Sequence, residues 1–337
     1  MVNAEQCELF RRLTGIARRY VLTTHMNPDG DAIGSEVGLA RLLAGTGREL
    51  RIVNQEATPR NLAYLEDLGP SVEVYDPAVH DAALDAADLV VLLDNSAPDR
   101  LGRMEPAIRS RASKVFCIDH HPTPGTLWAH DVLDEQASAT AAIVYELSTA
   151  AGHRIDLDTA EALYAGLSTD TGFFRFNSTR ARAHEIAAAL LRTGIEPSRC
   201  FREVYERNSP AWTRLLGRAL AGLRLDAGGA IVSVRVTRAM ESECDAEGAD
   251  TSEMTTPLLA IEGVRIALLF RELPEGRVKV SLRSKGDLDV YRLAAEFGGG
   301  GHRNASGIVA DGRLDEMAET VIAGAAGLLA ASPGQPA

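Results

Sequence analysis

Five consecutive apolar residues, Leu89-Val90-Val91-Leu92-Leu93, end on an aspartate, Asp94. A strand with one face in water alternates apolar and polar side chains. A run without a polar break is buried on both faces, the condition of a parallel strand covered by helices on each side. Tyr20–Thr24 and Lys114–Ile118 read the same way, and Leu50–Asn54 supplies a further strand. Helical patterns lie between them: Leu9, Leu13, Ile16 and Ala17 share one face, and Ala32–Leu43 follows the turn forced by Asn27-Pro28 and Asp29-Gly30. Strands alternating with helices define an α/β fold with a mostly parallel sheet flanked by helices. In such sheets ligands gather beyond the carboxyl ends of the strands. Here three strands run directly into His25, Asp94 and Asp119-His120-His121.

Further helical patterns cover Ala137–Gly152, Leu157–Ser168 running into Asp170, and Arg180–Leu191, with Gly194 as a C-cap. Cys200–Leu223 holds one or two more. From Gly228 the texture changes to alternation, with strands at Ala230–Val236, Val264–Phe270 and Arg277–Leu282 and a hairpin turn at Pro274-Glu275-Gly276. Helices at Tyr291–Phe297 and Leu314–Leu329 follow, then a loose tail, Ser332–Ala337. At 337 residues the chain is long for a single core. The expected division is a first domain over 1–195, a helical linker over 196–227 and a smaller α/β domain over 228–331, with a cleft between them.

The formal charge of −12 excludes a protein that tracks long nucleic acid on a basic stripe, so a polyanion is held only locally. Clustered carboxylates suit hard divalent cations that then receive phosphate. No stretch has the ~20 apolar residues of a membrane span, and Met1–Arg12 lacks the pattern of a signal peptide. The four cysteines, Cys7, Cys117, Cys200 and Cys244, are far apart and read as reduced thiols of a cytoplasmic protein.

His25-x-Asn27-Pro28-Asp29-Gly30-Asp31 crowds one imidazole and two carboxylates onto a tight turn. Like charges so close repel unless a cation sits between them. An Asx-turn capping the next helix accounts for one of the aspartates, not for both and the histidine. Asp94, central in the sheet, can bridge two ions through its two oxygens, the arrangement of two-metal hydrolases. His120 and His121, adjacent on a turn, are expected to face different directions, one towards metal and one towards substrate. Asp119 would then hold an imidazole in its tautomer. Asp170 ends a helix, where the dipole disfavours a carboxylate and a nearby cation would explain it. In the second half, Ser281 and Arg283 precede Gly298-Gly299-Gly300-Gly301-His302-Arg303. Those glycines read as an anion nest, with His302, Arg303 and Arg283 adding charge.

Together these blocks resemble the DHH phosphoesterase family, in the subgroup that pairs a DHH domain with a C-terminal DHHA1 domain. His25–Ser35, Asp94-Asn95, Asp119-His120-His121-Pro122 and Thr169–Gly172 match its motifs in order, and Gly298–Gly307 matches the DHHA1 signature. Only Ser306, in place of a frequent Ala, departs from it. The nearest pattern is that of bacterial bifunctional oligoribonucleases that also dephosphorylate 3′-phosphoadenosine 5′-phosphate (pAp). The resemblance implies that His25, Asp29 and Asp94 hold one Mn²⁺ and that Asp31, Asp94, His120 and Asp170 hold the other, with Mg²⁺ or Co²⁺ as substitutes. His121, oriented by Asp119, would contact the scissile phosphate. The resemblance makes 1–195 the catalytic, metal-binding domain and 228–331 the substrate-binding one, where Ser281, Arg283, Gly299, Gly300, Gly301, His302 and Arg303 would bind substrate. Short oligoribonucleotides, pAp or dinucleotides are the implied partners, with a second copy of the chain as a further one, and neither long duplexes nor membranes. The rival readings are a soluble cyclic-di-AMP or pApA phosphodiesterase and a non-catalytic nucleotide-binding protein. An exopolyphosphatase or pyrophosphatase is a third, against which the DHHA1 signature counts.

Overall fold

The computed structural model describes residues 2–44, 47–123, 125 and 127–331, and of His302 the backbone alone. The tail expected over Ser332–Ala337 lies outside the described residues. The chain forms two compact units, Met1–Arg207 and Asn208–Ala337.

In the first unit, in chain order, lie α1 (Ala4–Ile16), β1 (Arg19–Thr23), α2 (Gly30–Ala44), β2 (Glu49–Asn54), β3 (Val72–Val74), α3 (Pro77–Ala86), β4 (Leu89–Leu93), α4 (Glu105–Arg109), β5 (Val115–Asp119), β6 (His130–Leu133), α5 (Thr140–Ala150), α6 (Leu157–Asp170), α7 (Ala181–Leu191) and α8 (Pro197–Tyr205). The six strands form one sheet in the order β3-β2-β1-β4-β5-β6, and every neighbouring pair is parallel. The unbroken apolar runs sit at its centre because successive side chains serve opposite faces. Leu22, Val91, Leu93, Phe116 and Ile118 join α1, α2, α5, α6 and α7 in one core. Val21, Val90, Leu92, Val115 and Cys117 join Leu84 of α3 and Ile108 of α4 in another. The strand order reverses between β1 and β4, which opens a crevice at their carboxyl ends.

Glycines set the spacing of the helices over this crevice. On α2, Gly30, Gly34 and Gly38 all face α6: a Cβ at Gly34 would stand 2.5 Å from the Ala162 carbonyl oxygen, and one at Gly38 would stand 2.6 Å from a Leu163 methyl. Gly166 answers from α6, where a Cβ would stand 2.9 Å from an Asp31 carboxylate oxygen. Without those side chains the start of α2 and the end of α6 lie side by side.

The second unit carries α9 (Pro210–Ala221), β7 (Arg224–Asp226), β8 (Ile231–Val236), α10 (Arg238–Glu243), α11 (Thr256–Leu259), β9 (Ile266–Leu273), β10 (Arg277–Ser284), α12 (Val290–Glu296), β11 (Gly300–His302), β12 (Ala305–Asp311) and α13 (Leu314–Ala331). Its sheet runs β11-β12-β10-β9-β8-β7; only β8 and β9 pair in parallel. One face packs on α12 and α13, the other on α9 and α11. Within 196–227, α8 buries Cys200 and Val204 in the first unit's core, while α9 buries Leu215 and Ala219 in the second's. No helix among the described residues is long and apolar enough to cross a membrane. All four cysteines are free thiols, three of them buried.

Candidate active site

The carboxyl ends of β1, β4 and β5 bring His25, Asp94 and the Asp119-His120-His121 turn together. Asp94 is at the centre, 1% exposed. Its backbone is left-handed, with φ 57°, a conformation that aspartate tolerates better than most residues. One carboxylate oxygen, Oδ2, lies 3.3 Å from His25 Nε2. The other, Oδ1, lies 3.5 Å from His120 Nε2 and 3.6 Å from His121 Nδ1, and accepts the Thr140 hydroxyl at 2.9 Å. Burial pushes the Asp94 carboxyl upward, but the His25 bond and the charges of His121 and His120 outweigh it, so the carboxylate is strongly favoured. Burial also opposes the His25 imidazolium, yet its bond to Asp94 and the charge of Asp29 leave it raised.

The two adjacent histidines do not face apart, as their neighbouring positions suggest. Their ring centroids are 4.6 Å apart, and both rings converge on the same Asp94 oxygen. Their other partners set them apart. His121 Nδ1 lies 2.7 Å from Asp119 Oδ1, which also accepts the His121 amide at 3.1 Å. Against the effect of burial, that bond and the Asp94 charge push His121 up to about 9. His120 turns Nδ1 to the Ala137 carbonyl, 3.3 Å away. Its Nε2 points among carboxylates, buried and without a hydrogen-bond partner; Asp170 Oδ2 is 3.4 Å away and Asp31 Oδ2 3.9 Å.

Asp29 does what both readings of its turn require. Its Oδ1 accepts the Asp31 and Ala32 amides at 3.0 and 3.1 Å, capping α2. Asp29 is still grouped with His25 and Asp94, their ligand atoms all within 4.8 Å of one another. Asp31, His120 and Asp170 form a second such group, and Asp94, His120 and His121 a third. Asp31 is held by the start of α5: Thr140 N donates to Oδ2 at 2.5 Å and Ala141 N to Oδ1 at 2.8 Å. Burial and the charges of Asp94, Asp170 and Asp29 nonetheless raise its pKa well above the carboxylate range. Asp170, the last residue of α6, is raised to about 7, by burial first. Among the described residues, the ion-pair partners of Asp31, Asp94 and Asp170 are histidines alone. Four carboxylates, with an imidazole nitrogen aimed among them, suit divalent cations as donor atoms.

Thr140 was not among the residues expected at the site. It acts through a hydroxyl and an amide at a helix start, and Ser138-Ala139-Thr140, polar residues opening an apolar helix, was its only signal in the sequence.

In the second unit, β-pairing aligns Ser281 with Gly307 and Gly300, and Arg283 with Ala305 and His302. Ser281 is buried. Arg283 donates Nη1 to the Leu282 carbonyl at 3.1 Å, and burial lowers its pKa against the pull of Glu253 and Asp250. Arg303, exposed, donates to the Asp287 carbonyl at 2.8 Å. The side chain of His302 lies outside the described residues. The glycine run is partly structural. Gly298, at φ 71°, and Gly299 donate to the Ala295 and Ala294 carbonyls at 3.0 and 2.9 Å, the Schellman ending of α12. A Cβ at Gly299 would strike the Gly307 carbonyl, so the close approach made there is to the chain's own β12.

Residues 19–167 match the model of the DHH family, N-terminal domain, and residues 230–326 match that of the DHHA1 domain. The chain is 32% identical to the bifunctional oligoribonuclease and PAP phosphatase NrnA of Thermus thermophilus, over 89% of this chain and 87% of that one. It is 28% identical to the protein of the same name from Bacillus subtilis, over 85% and 88%. The crystal structure of an exopolyphosphatase-related protein from Bacteroides fragilis superposes with a TM-score of 0.91 at 29% identity, covering 98% and 97% of the two chains. Fold and strand-end cluster define a hydrolase of phosphoester bonds. The chain belongs to the DHH family, in its form with a DHHA1 domain.

Proposed function

We propose that this hydrolase converts short oligoribonucleotides to mononucleotides and also removes phosphate from pAp, in the cytoplasm, with two divalent cations, Mn²⁺ by preference. The observation that carries this reading is Asp94, whose two oxygens face two different donor groups. His25, Asp29 and Asp94 would hold one cation, and Asp31, Asp94, His120 and Asp170 the other. When bound, such a pair supplies Lewis-acid charge and lowers the pKa of water for in-line attack on phosphorus. The chain's own residues do the rest. Asp119 fixes the His121 ring, which donates to an oxygen of the scissile phosphate. The α5 amides and the Thr140 hydroxyl hold Asp31 and Asp94 in place. In the second unit Arg283, His302 and Arg303, with Ser281 and Gly299–Gly301, would grip the remaining phosphate end of the substrate. The relatives from Thermus thermophilus and Bacillus subtilis, which carry both activities in their names, support this substrate class.

The test is kcat/KM of the full chain with Mn²⁺ on labelled oligoribonucleotides from dimers to dodecamers, beside pAp and cyclic-di-AMP, at two ionic strengths. A chain of net charge −12 repels the extra phosphates of a long strand, so efficiency should peak at about two to five residues and the gap to longer strands should narrow in salt. Efficiency that climbs through the dodecamer, or a preference for the cyclic dinucleotide over every linear one, would refute the proposal.

A further inference from the structure

Just past Asp170 the backbone takes a conformation that side chains resist. Gly172, Phe173 and Phe174 have φ of 57°, 54° and 66°, three left-handed residues in succession, two of them bulky. Outliers of this kind persist where the surroundings over-determine them, and they concentrate at ligand sites. Here the surroundings are aromatic. Phe173 meets Phe201 edge to face at 4.9 Å and Tyr205 at 5.2 Å. Phe174 stacks on His184 at 5.2 Å. The Thr171 carbonyl accepts the amides of Arg175 and Phe176 at 3.1 and 3.0 Å, closing the turn.

The turn places Phe176 against Gly172, where an added Cβ would stand 2.5 Å from the ring's Cζ. Gly172 is the second residue after Asp170, so the ring packs on the backbone just past the end of α6. Phe176 is 48% exposed, and the Arg175 guanidinium lies 5.4 Å from its centroid. A single exposed phenylalanine is ordinary on a protein surface. One held by a strained turn that begins two residues after Asp170, with an arginine at its face, is a different matter. Phe173 and Phe174 supply the aromatic contacts to Phe201, Tyr205 and His184, while Phe176 keeps about half of its surface in solvent.

We propose that Phe176, with Arg175 beside it, is a stacking surface for a nucleobase of the substrate. The inference rests on the nucleotide reading above and extends it to the base. An aromatic face without hydrogen-bond donors takes any base, and single-stranded nucleic acids are commonly held in this way. Arg175 adds cation–π attraction and charge for a neighbouring phosphate.

The experiment compares wild type, Phe176→Ala and Phe176→Trp on a diribonucleotide and on the same sugar–phosphate lacking its bases. Phe176→Ala should raise KM for the dinucleotide about ten- to a hundredfold, the usual worth of one stacked base, with kcat almost unchanged. Phe176→Trp, which keeps a flat face, should stay near wild type. On the abasic substrate wild type and Phe176→Ala should be equal. An unchanged KM in Phe176→Ala, or equal losses on both substrates, overturns the stacking surface while leaving the nucleotide reading intact. A wild type that does not hydrolyse the dinucleotide removes the nucleotide reading, and the stacking surface with it.

Discussion

Glu36 gives the sharpest test of how the site is supported from below. It is fully buried on α2, and its Oε2 accepts Asn54 Nδ2 at 2.8 Å. Asn54 in turn accepts the Thr24 amide at 3.3 Å, directly before His25. Burial first, and the Asp94 charge after it, push the Glu36 carboxyl from 4.5 up to about 8, against the bond from Asn54. Between those two pH values the folded chain keeps a proton that the unfolded chain has lost. Stability is therefore greatest below the unfolded pKa, declines as pH rises towards the folded one and levels off above it. The decline across the window is roughly 5 kcal/mol, about 3 of it by pH 7, at 1.36 kcal/mol per pH unit. Glu36→Gln keeps an acceptor for Asn54 and carries no titrating proton. Urea unfolding of chelated wild type and Glu36→Gln from pH 5 to pH 9 should show the variant gaining on wild type steadily and staying ahead above pH 8. A stability difference that does not change with pH would mean that Glu36 is ionised in the folded chain, and the placement of charge beneath Asp94 would be wrong.

Asp94→Asn should lower turnover to near background while the fold survives, and chelation of the wild type should do the same, reversibly with Mn²⁺; substantial residual turnover in either removes the two-cation assignment. Thr140→Val deletes the hydroxyl that holds Asp94 and keeps the amide on Asp31, so calorimetry should show Mn²⁺ affinity weakened about ten- to a hundredfold, the worth of ~1.5–3 kcal/mol for a bond to a charged group; unchanged affinity denies Thr140 that role. Gly34→Ala drives a methyl into the Ala162 carbonyl, 2.5 Å away, and should cost ~1–3 kcal/mol in urea unfolding, whereas Gly327→Ala, with open space around it, should not.

Much of this was legible in the sequence where burial is complete. β1, β4 and β5 declared themselves by apolar runs, and the residues ending all three proved to be neighbours. β3 and β6 were missed: Val72-Glu73-Val74 is three residues of partly exposed edge, and His130–Leu133 has a single fully buried side chain. The structural share of the glycine run was hidden because its pairing with β12 depends on residues later in the chain. That Gly30, Gly34 and Gly38 receive α6 is set by tertiary packing between segments far apart in the chain. The convergence of His120 and His121 on one Asp94 oxygen is likewise set by where β4 and β5 lie, and adjacency in sequence argued the other way.

The approach of α2 to α6 also bears on how much of this protein a cell holds. Asp31 starts one helix and Asp170 ends the other, so the packing that completes the core also presses their charges together. In the two-cation reading, bound ions relieve that repulsion and stabilise the folded chain by mass action. Scarcity of the metal would then do more than idle the enzyme. It would enlarge the unfolded fraction exposed to proteolysis, so that divalent-ion supply governs the number of folded molecules as well as the work each performs.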